Sequence, residues 1–190
     1  MDRREFLRRG IGKATETAVK LVDDKLERRV NWIRPPFALA ELEFLLACSR
    51  CNQCIEACPH EVIFPLAPRL GAEVVGTPAL DLLNKACHLC DDWPCVKACE
   101  PEALLMPVAD SPKTWPSLAR AVINTDSCLP YLGPECGACR DICPVPEAMH
   151  WENEKPLINE LACTGCAMCR VSCVLEPGAI DIMLLNSPVD

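Results

Sequence analysis

The stretch Cys48-Ser49-Arg50-Cys51-Asn52-Gln53-Cys54-Ile55-Glu56-Ala57-Cys58-Pro59 decides how this chain is read. Gaps of two residues let backbone loop around a small centre, so that three sulfurs converge on it. The fourth cysteine, three residues further on, starts along a helical turn and points elsewhere. In the run C-x2-C-x2-C-x3-C-P that fourth cysteine ligates a second cluster, so such sites come in pairs.

The pattern recurs. A second group is Cys87, Cys90, Cys95 and Cys99, followed by Glu100-Pro101. A third is Cys128, Cys136, Cys139 and Cys143, followed by Pro144, and a fourth is Cys163, Cys166, Cys169 and Cys173, followed by Val174. All 16 cysteines of the 190-residue chain fall in these groups, an internal repeat that outweighs any single C-x2-C pair. The expected cofactors are four [4Fe–4S] clusters. Two other uses of cysteine fit less well. Neighbouring cysteines two residues apart bridge each other poorly, which argues against a disulfide framework. Structural zinc takes C-x2-C pairs separated by a longer knuckle, not four cysteines in quick succession.

The flanks repeat as well. Short apolar runs follow each group: Val62-Ile63-Phe64, Ala103-Leu104-Leu105, Ala148-Met149-His150 and Ala179-Ile180-Asp181-Ile182. Ala121-Val122-Ile123 and Pro156-Leu157-Ile158 precede the third and fourth. Each unit reads as short strand, cysteine loop, a turn or two of helix, short strand. The fold class expected is α+β: two dicluster ferredoxin-like modules, residues 37–110 and 111–190, behind an N-terminal helical extension, residues 1–36. The boundary is expected near Asp110 to Trp115. The Pro- and Gly-rich stretch with Pro65, Pro68, Gly71, Gly76 and Pro78 reads as loop or insertion. So does the one with Pro107, Pro112 and Pro116, and the tail after Leu185 reads as frayed.

Two allocations of ligands are compatible with the spacing. If adjacent groups pair, the sets are Cys48, Cys51, Cys54 and Cys99; Cys87, Cys90, Cys95 and Cys58; Cys128, Cys136, Cys139 and Cys173; and Cys163, Cys166, Cys169 and Cys143. If pairing is nested, group one joins group four and group two joins group three. Only 19 residues separate Cys143 from Cys163, against 28 in each of the other two spans, which favours adjacent pairing for groups three and four.

Charge and composition narrow the function. The net charge of −8 argues against nucleic acid, which needs a basic face. Each cluster with its four thiolates carries about −2, so loading would take the chain to about −16 and favour partners with basic docking surfaces. Aromatic residues make up only 5% of the chain, so the core is thin and a metal staple is expected. The most apolar segment, Phe37 to Cys48, is broken by Glu41 and Glu43 and is too short to span a membrane. Arg3-Arg4-Glu5-Phe6-Leu7-Arg8 resembles a twin-arginine export signal, but charged residues replace the apolar stretch that should follow. Val19, Val22, Leu26 and Val30 lie three or four apart, the spacing of an amphipathic helix. A cytoplasmic chain is expected, with twin-arginine export to the periplasm as the alternative. The clustered basic residues would also allow a helix lying on a membrane surface.

No nucleophile–base pair, phosphate loop or flavin motif stands out, so catalytic residues are expected to be none. His88, beside Cys87, reads as a neighbour of the ligands, and His60 and His150 carry no signal. Trp93, Trp115 and Trp151 read as packing that shields the centres from water. Arg50, Lys97 and Arg140 read as solvated charge.

The motifs resemble a known family: the NapF, NapG and MauM ferredoxin-type accessory proteins of periplasmic nitrate reductase and methylamine utilisation systems. The stretched third group, Cys128-x7-Cys136-x2-Cys139-x3-Cys143, is similar to that family's, and Cys87-x2-Cys90-x4-Cys95 resembles its NapG/MauM branch. The second group also resembles subunits of molybdopterin oxidoreductases, in which nested pairing is usual. The likeness covers about Ala47 to Ile182, and the second and fourth groups depart from it in lacking Pro directly after the last Cys. It implies a polyferredoxin, an electron carrier or subunit between a membrane quinol-oxidising partner and a larger oxidoreductase. An accessory role in maturing a metalloenzyme is the alternative.

Overall fold

The structure, a computed structural model, describes residues 31–107 and 114–185. The amphipathic helix expected near the N-terminus, most of the expected Asp110–Trp115 boundary and the tail after Leu185 lie outside those residues.

The described chain is a small mixture of short helices and short antiparallel strands. Strand β1 (Ile63–Pro65) pairs with β2 (Pro78–Leu80) in the register Ile63 to Leu80 and Pro65 to Pro78. Strand β3 (Arg120–Ile123) pairs with β6 (Ile180–Met183), and β4 (Met149–Glu152) with β5 (Lys155–Ile158). Asn153 and Glu154 join β4 to β5 with φ of 49° and 61°, the left-handed pair that a two-residue hairpin turn requires. Residues 37–39 and 103–105 meet through a single bridge, Ala38 to Leu104. It is extended by Leu39 N–H to the Ala103 carbonyl at 3.1 Å and Leu105 N–H to the Phe37 carbonyl at 2.9 Å.

One order of elements therefore occurs twice. An outer segment, a cysteine group and an inner strand are followed by an inner strand, a cysteine group and an outer segment. The apolar runs read from the sequence supply most of these pieces. Strand β2 departs from that reading, which placed Pro78 in an insertion. All three of its residues are buried. Pro78 sits at the end of the ladder, where its missing N–H is tolerated, so a turn-forming residue hides a core strand.

Helix α1 (Glu41–Ala47) buries Phe44 completely and carries Glu41 inward. There the carboxylate meets Arg34, with Nε to Oε2 at 2.9 Å and Nη2 to Oε1 at 2.6 Å. The same guanidinium donates through Nη1 to Thr77 Oγ1 and to the Pro78 carbonyl, both at 2.8 Å, and lies 4.5 Å from the Phe44 ring centre. This buried pair ties the helix to β2.

The largest apolar cluster runs through both halves. Phe44, Val62, Leu80, Leu82, Trp93 and Leu104 pack in it together with Leu118, Ala119, Val145, Ala148 and Ala167. Among the described residues, no helix is long and apolar enough to cross a membrane.

Candidate metal centres

The cysteine loops are built on one backbone device. In groups one, two and four, the residue two after the first cysteine is left-handed: Arg50 (φ 59°), Leu89 (φ 50°) and Gly165 (φ 68°). The residue two before the third cysteine is left-handed as well: Asn52 (φ 65°), Trp93 (φ 47°) and Ala167 (φ 68°). Each pair of reversals curls the chain around a point. A single helical turn then follows: α2 (Gln53–Glu56), α3 (Pro94–Lys97) and α5 (Met168–Val171). A left-handed non-glycine residue costs on the order of 1 kcal/mol, so five of them at matching places mark a conformation held by something worth more. Group three is built differently. Its stretched first gap contains α4 (Leu129–Leu132), which closes at Gly133 (φ 116°).

None of the sixteen cysteines is joined in a disulfide. Neighbouring cysteines act on one another. Burial, then Cys99, Cys48 and Cys51, push the Cys54 thiol up to about 12. Burial, then Cys87 and Cys58 among its neighbours, push Cys95 up to about 12. Burial, then Cys128, and further Cys136 and Cys173, push Cys139 up to about 11. Burial, then Cys166, Cys163 and Cys143, push Cys169 up to about 12. Thiols this reluctant to ionise by themselves would be thiolates only beside a strong positive charge, which is what iron supplies.

Two of these gatherings line small hollows. One is lined by Cys48, Cys51, Cys54 and Cys99 with Phe44, Pro78, Ala103 and Leu104. The other is lined by Cys58, Cys87, Cys90 and Cys95 with Val62, Ile63, Leu80 and Trp93. The rest of each lining is mostly apolar. Among the described residues, no three Cys, His, Asp or Glu side chains converge tightly enough for a single metal ion. Four cysteines around one hollow fit a cluster that takes one thiolate per iron.

Peptide N–H groups are aimed at the sulfurs. Those of Leu89, Tyr131 and Met168 favour the thiolates of Cys87, Cys128 and Cys166. Gly165 N–H lies 3.4 Å from Cys163 Sγ, and Ala179 N–H lies 3.4 Å from Cys173 Sγ. The Thr164 hydroxyl is buried and has no hydrogen-bond partner among the neutral groups around it. It sits where it favours the Cys166 thiolate. An orphaned buried donor beside a sulfur fits a sulfur that carries negative charge.

Two arginines depart from the sequence reading, whereas Trp93 packs in the core as expected. Arg50 is not simply solvated. It donates to the carbonyls of Glu73 at 2.8 Å and Val75 at 3.0 Å and so pins the loop between β1 and β2. Arg140 pairs with Glu154 at 2.9 Å and lies 4.5 Å from the Trp151 ring centre. Trp93 is buried edge-on against Phe37, at 4.8 Å between ring centres. His60 and His88 stack face to face at 3.5 Å between ring centres, beside Cys58 and Cys87. Nothing in the sequence signals that stack, since its two members lie in separate groups.

No family model and no solved structure matches the chain. Similar proteins are found among curated sequences. The ferredoxin-type protein NapG of Haemophilus influenzae is 34% identical over 97% of this chain and 72% of its own length. The methylamine utilization ferredoxin-type protein MauM of Methylorubrum extorquens is 32% identical over 95% of this chain and 88% of its own length. The ferredoxin-type protein NapF of Escherichia coli is 34% identical over 75% of this chain and 80% of its own length.

Proposed function

Because the chain belongs to the ferredoxin-type family of NapG, MauM and NapF proteins, we propose that it is an electron-transfer subunit or carrier holding four [4Fe–4S] clusters on its sixteen cysteines. The ligand sets are Cys48, Cys51, Cys54 and Cys99; Cys87, Cys90, Cys95 and Cys58; Cys128, Cys136, Cys139 and Cys173; and Cys163, Cys166, Cys169 and Cys143. The observation that carries this reading is the reciprocal exchange in the first half. Cys99 lines the cavity of group one, and Cys58 lines that of group two. Each pair of groups then forms one dicluster module.

When bound, each cluster stores and releases one electron. The chain supplies the rest: thiolates, apolar walls that hold water off, and N–H and O–H donors that set how readily the extra charge is accepted. Its partners are redox proteins with basic docking faces, a donor such as a quinol-oxidising subunit and an acceptor oxidoreductase.

Protein purified without air is expected to carry about sixteen iron and sixteen acid-labile sulfide per chain. Cys99→Ala is expected to remove about four of each. Zinc in place of iron, or about eight iron per chain, would refute the four-cluster reading.

Thr164→Val is expected to lower the potential of the set containing Cys166. The valine keeps the shape but removes a donor that favours the more negative, reduced state. If that bond is worth ~1 kcal/mol more in the reduced state, the shift is ~40 mV. Thr164→Ser should restore the potential. An EPR-monitored redox titration that finds the valine variant unmoved would remove Thr164 from this role.

A further inference from the structure

The two halves meet at their ligand loops. Cys87 N–H donates to the Cys166 carbonyl at 2.9 Å, and both residues are buried in the shared core. Arg170, on α5, reinforces the seam by donating through Nε to the Leu83 carbonyl at 3.1 Å, while its Nη1 is held by the Ile180 carbonyl of its own half. Cysteines of the first, second and fourth ligand sets lie in or against the central core: Cys54, Cys87, Cys95 and Cys166 within it, Cys143 and Cys163 packed on it. The third set is joined differently. Its Cys139 packs with Cys163 and Cys169 of the fourth set in a separate small cluster around Ala121 and Ile180. Within the first half, Cys54 and Cys95 stand on helices α2 and α3, which pack on each other.

We propose that the ligand sets stand in the spatial order first, second, fourth, third, and that the Cys87–Cys166 backbone contact is the crossing between the halves. This inference rests on the four-cluster reading above. Chain order and path order therefore differ: the last cysteine group is central, and the third is an end. The first set is the other end, and its Cys51 is the one exposed cysteine of the sixteen. Electron transfer slows steeply with separation, so an electron follows the nearest-neighbour order. Each step oxidises one set by one electron and reduces the next by one, with no bond broken.

The test uses the full-length chain, reduced under anaerobic conditions and read by EPR for magnetic interaction between neighbouring reduced centres. One ligand set is disabled at a time, by Cys54→Ala, Cys95→Ala, Cys139→Ala or Cys169→Ala. Loss of the second set should leave the first with an isolated, unsplit signal. Loss of the fourth should isolate the third. Loss of the first or of the third should leave three interacting centres. If loss of the third set isolates the fourth, the path follows chain order and the proposal is overturned. Where an alanine variant does not fold, the serine variant is used. Its oxygen ligand lowers the potential of that centre, which then stays diamagnetic while the others are reduced, and the same pattern is read. Iron content separates the two levels of the argument. Parent protein short of sixteen iron sinks the four-cluster reading, whereas full iron with the wrong isolation pattern sinks only the order.

Discussion

Gly165→Ala is expected to yield a chain that does not fold or load with iron. Gly165 has a φ of 68°, and a Cβ placed on it would lie 2.1 Å from the Ala119 carbonyl oxygen and 2.3 Å from its carbon. Both atoms are backbone, so no side chain can swing aside. The neighbouring backbone is fixed as well, because Leu118 N–H and Ala119 N–H both donate to the Thr164 carbonyl, at 2.9 and 3.3 Å. Relief would have to come from moving the segment that enters β3 away from the loop that presents Cys163 and Cys166. The left-handed backbone alone costs an alanine about 1 kcal/mol. With the clash added, the loss is on the order of 4 kcal/mol or more, a size that single substitutions seldom reach. Gly137→Ala is the control, since nothing lies within 4 Å of its Cβ position. Soluble yield, iron per chain and thermal midpoint are the measurements. A Gly165→Ala protein that loads fully and melts within a few degrees of the parent would contradict this close approach.

The second large effect is expected at Glu41. Glu41→Ala strands the Arg34 guanidinium in the core, where the two side chains are only 6% and 9% exposed. Breaking a buried pair by removing one partner costs about 3–5 kcal/mol, because the remaining charge is left uncompensated. Thr77 Oγ1 and the Pro78 carbonyl still accept from Arg34, which keeps the cost from rising further. Glu41→Gln keeps the shape and should fall between the parent and alanine. The double variant Arg34→Met/Glu41→Leu should recover much of the loss, since a well-packed apolar pair can match a buried ion pair. Thermal unfolding followed by loss of cluster absorbance ranks the four proteins. A double variant no better than Glu41→Ala would show that the geometry of the pair, and not its uncompensated charge, supports α1.

What could be read from the chain is what is local. Cysteine spacing is fixed by the reach of backbone around a small centre, so the four groups stand out without any knowledge of tertiary structure. The apolar runs that become β1, β3, β4, β5 and β6 are equally plain, because each is bounded by turn residues. Strand β2 is hidden by Pro78, a residue whose usual meaning is the opposite of a buried strand. The Arg34–Glu41 pair is invisible because charges on a short helix ordinarily face water, and only the buried position of α1 turns Glu41 inward. The His60–His88 stack, the Arg50 clamp and the Cys87–Cys166 contact join residues distant in sequence, and no periodicity encodes such meetings. Group three looks equivalent to the others by count. Its stretched gap gives it a different backbone, built on α4 and Gly133 instead of paired left-handed residues.

The common core has a consequence for how such a chain can change. The same succession of elements occurs twice, as after a duplication, yet Leu118, Ala119 and Val145 of one copy share an interior with Phe44, Leu82 and Trp93 of the other. Two free-standing copies could drift, be lost or be exchanged one at a time. Here each copy is part of its sibling's scaffold, and a substitution at the seam is tested by selection against both. The room for divergence is on the outside, in the turn after β4 and the loop pinned by Arg50. There a lineage could remodel what docks without disturbing what the two copies hold in common.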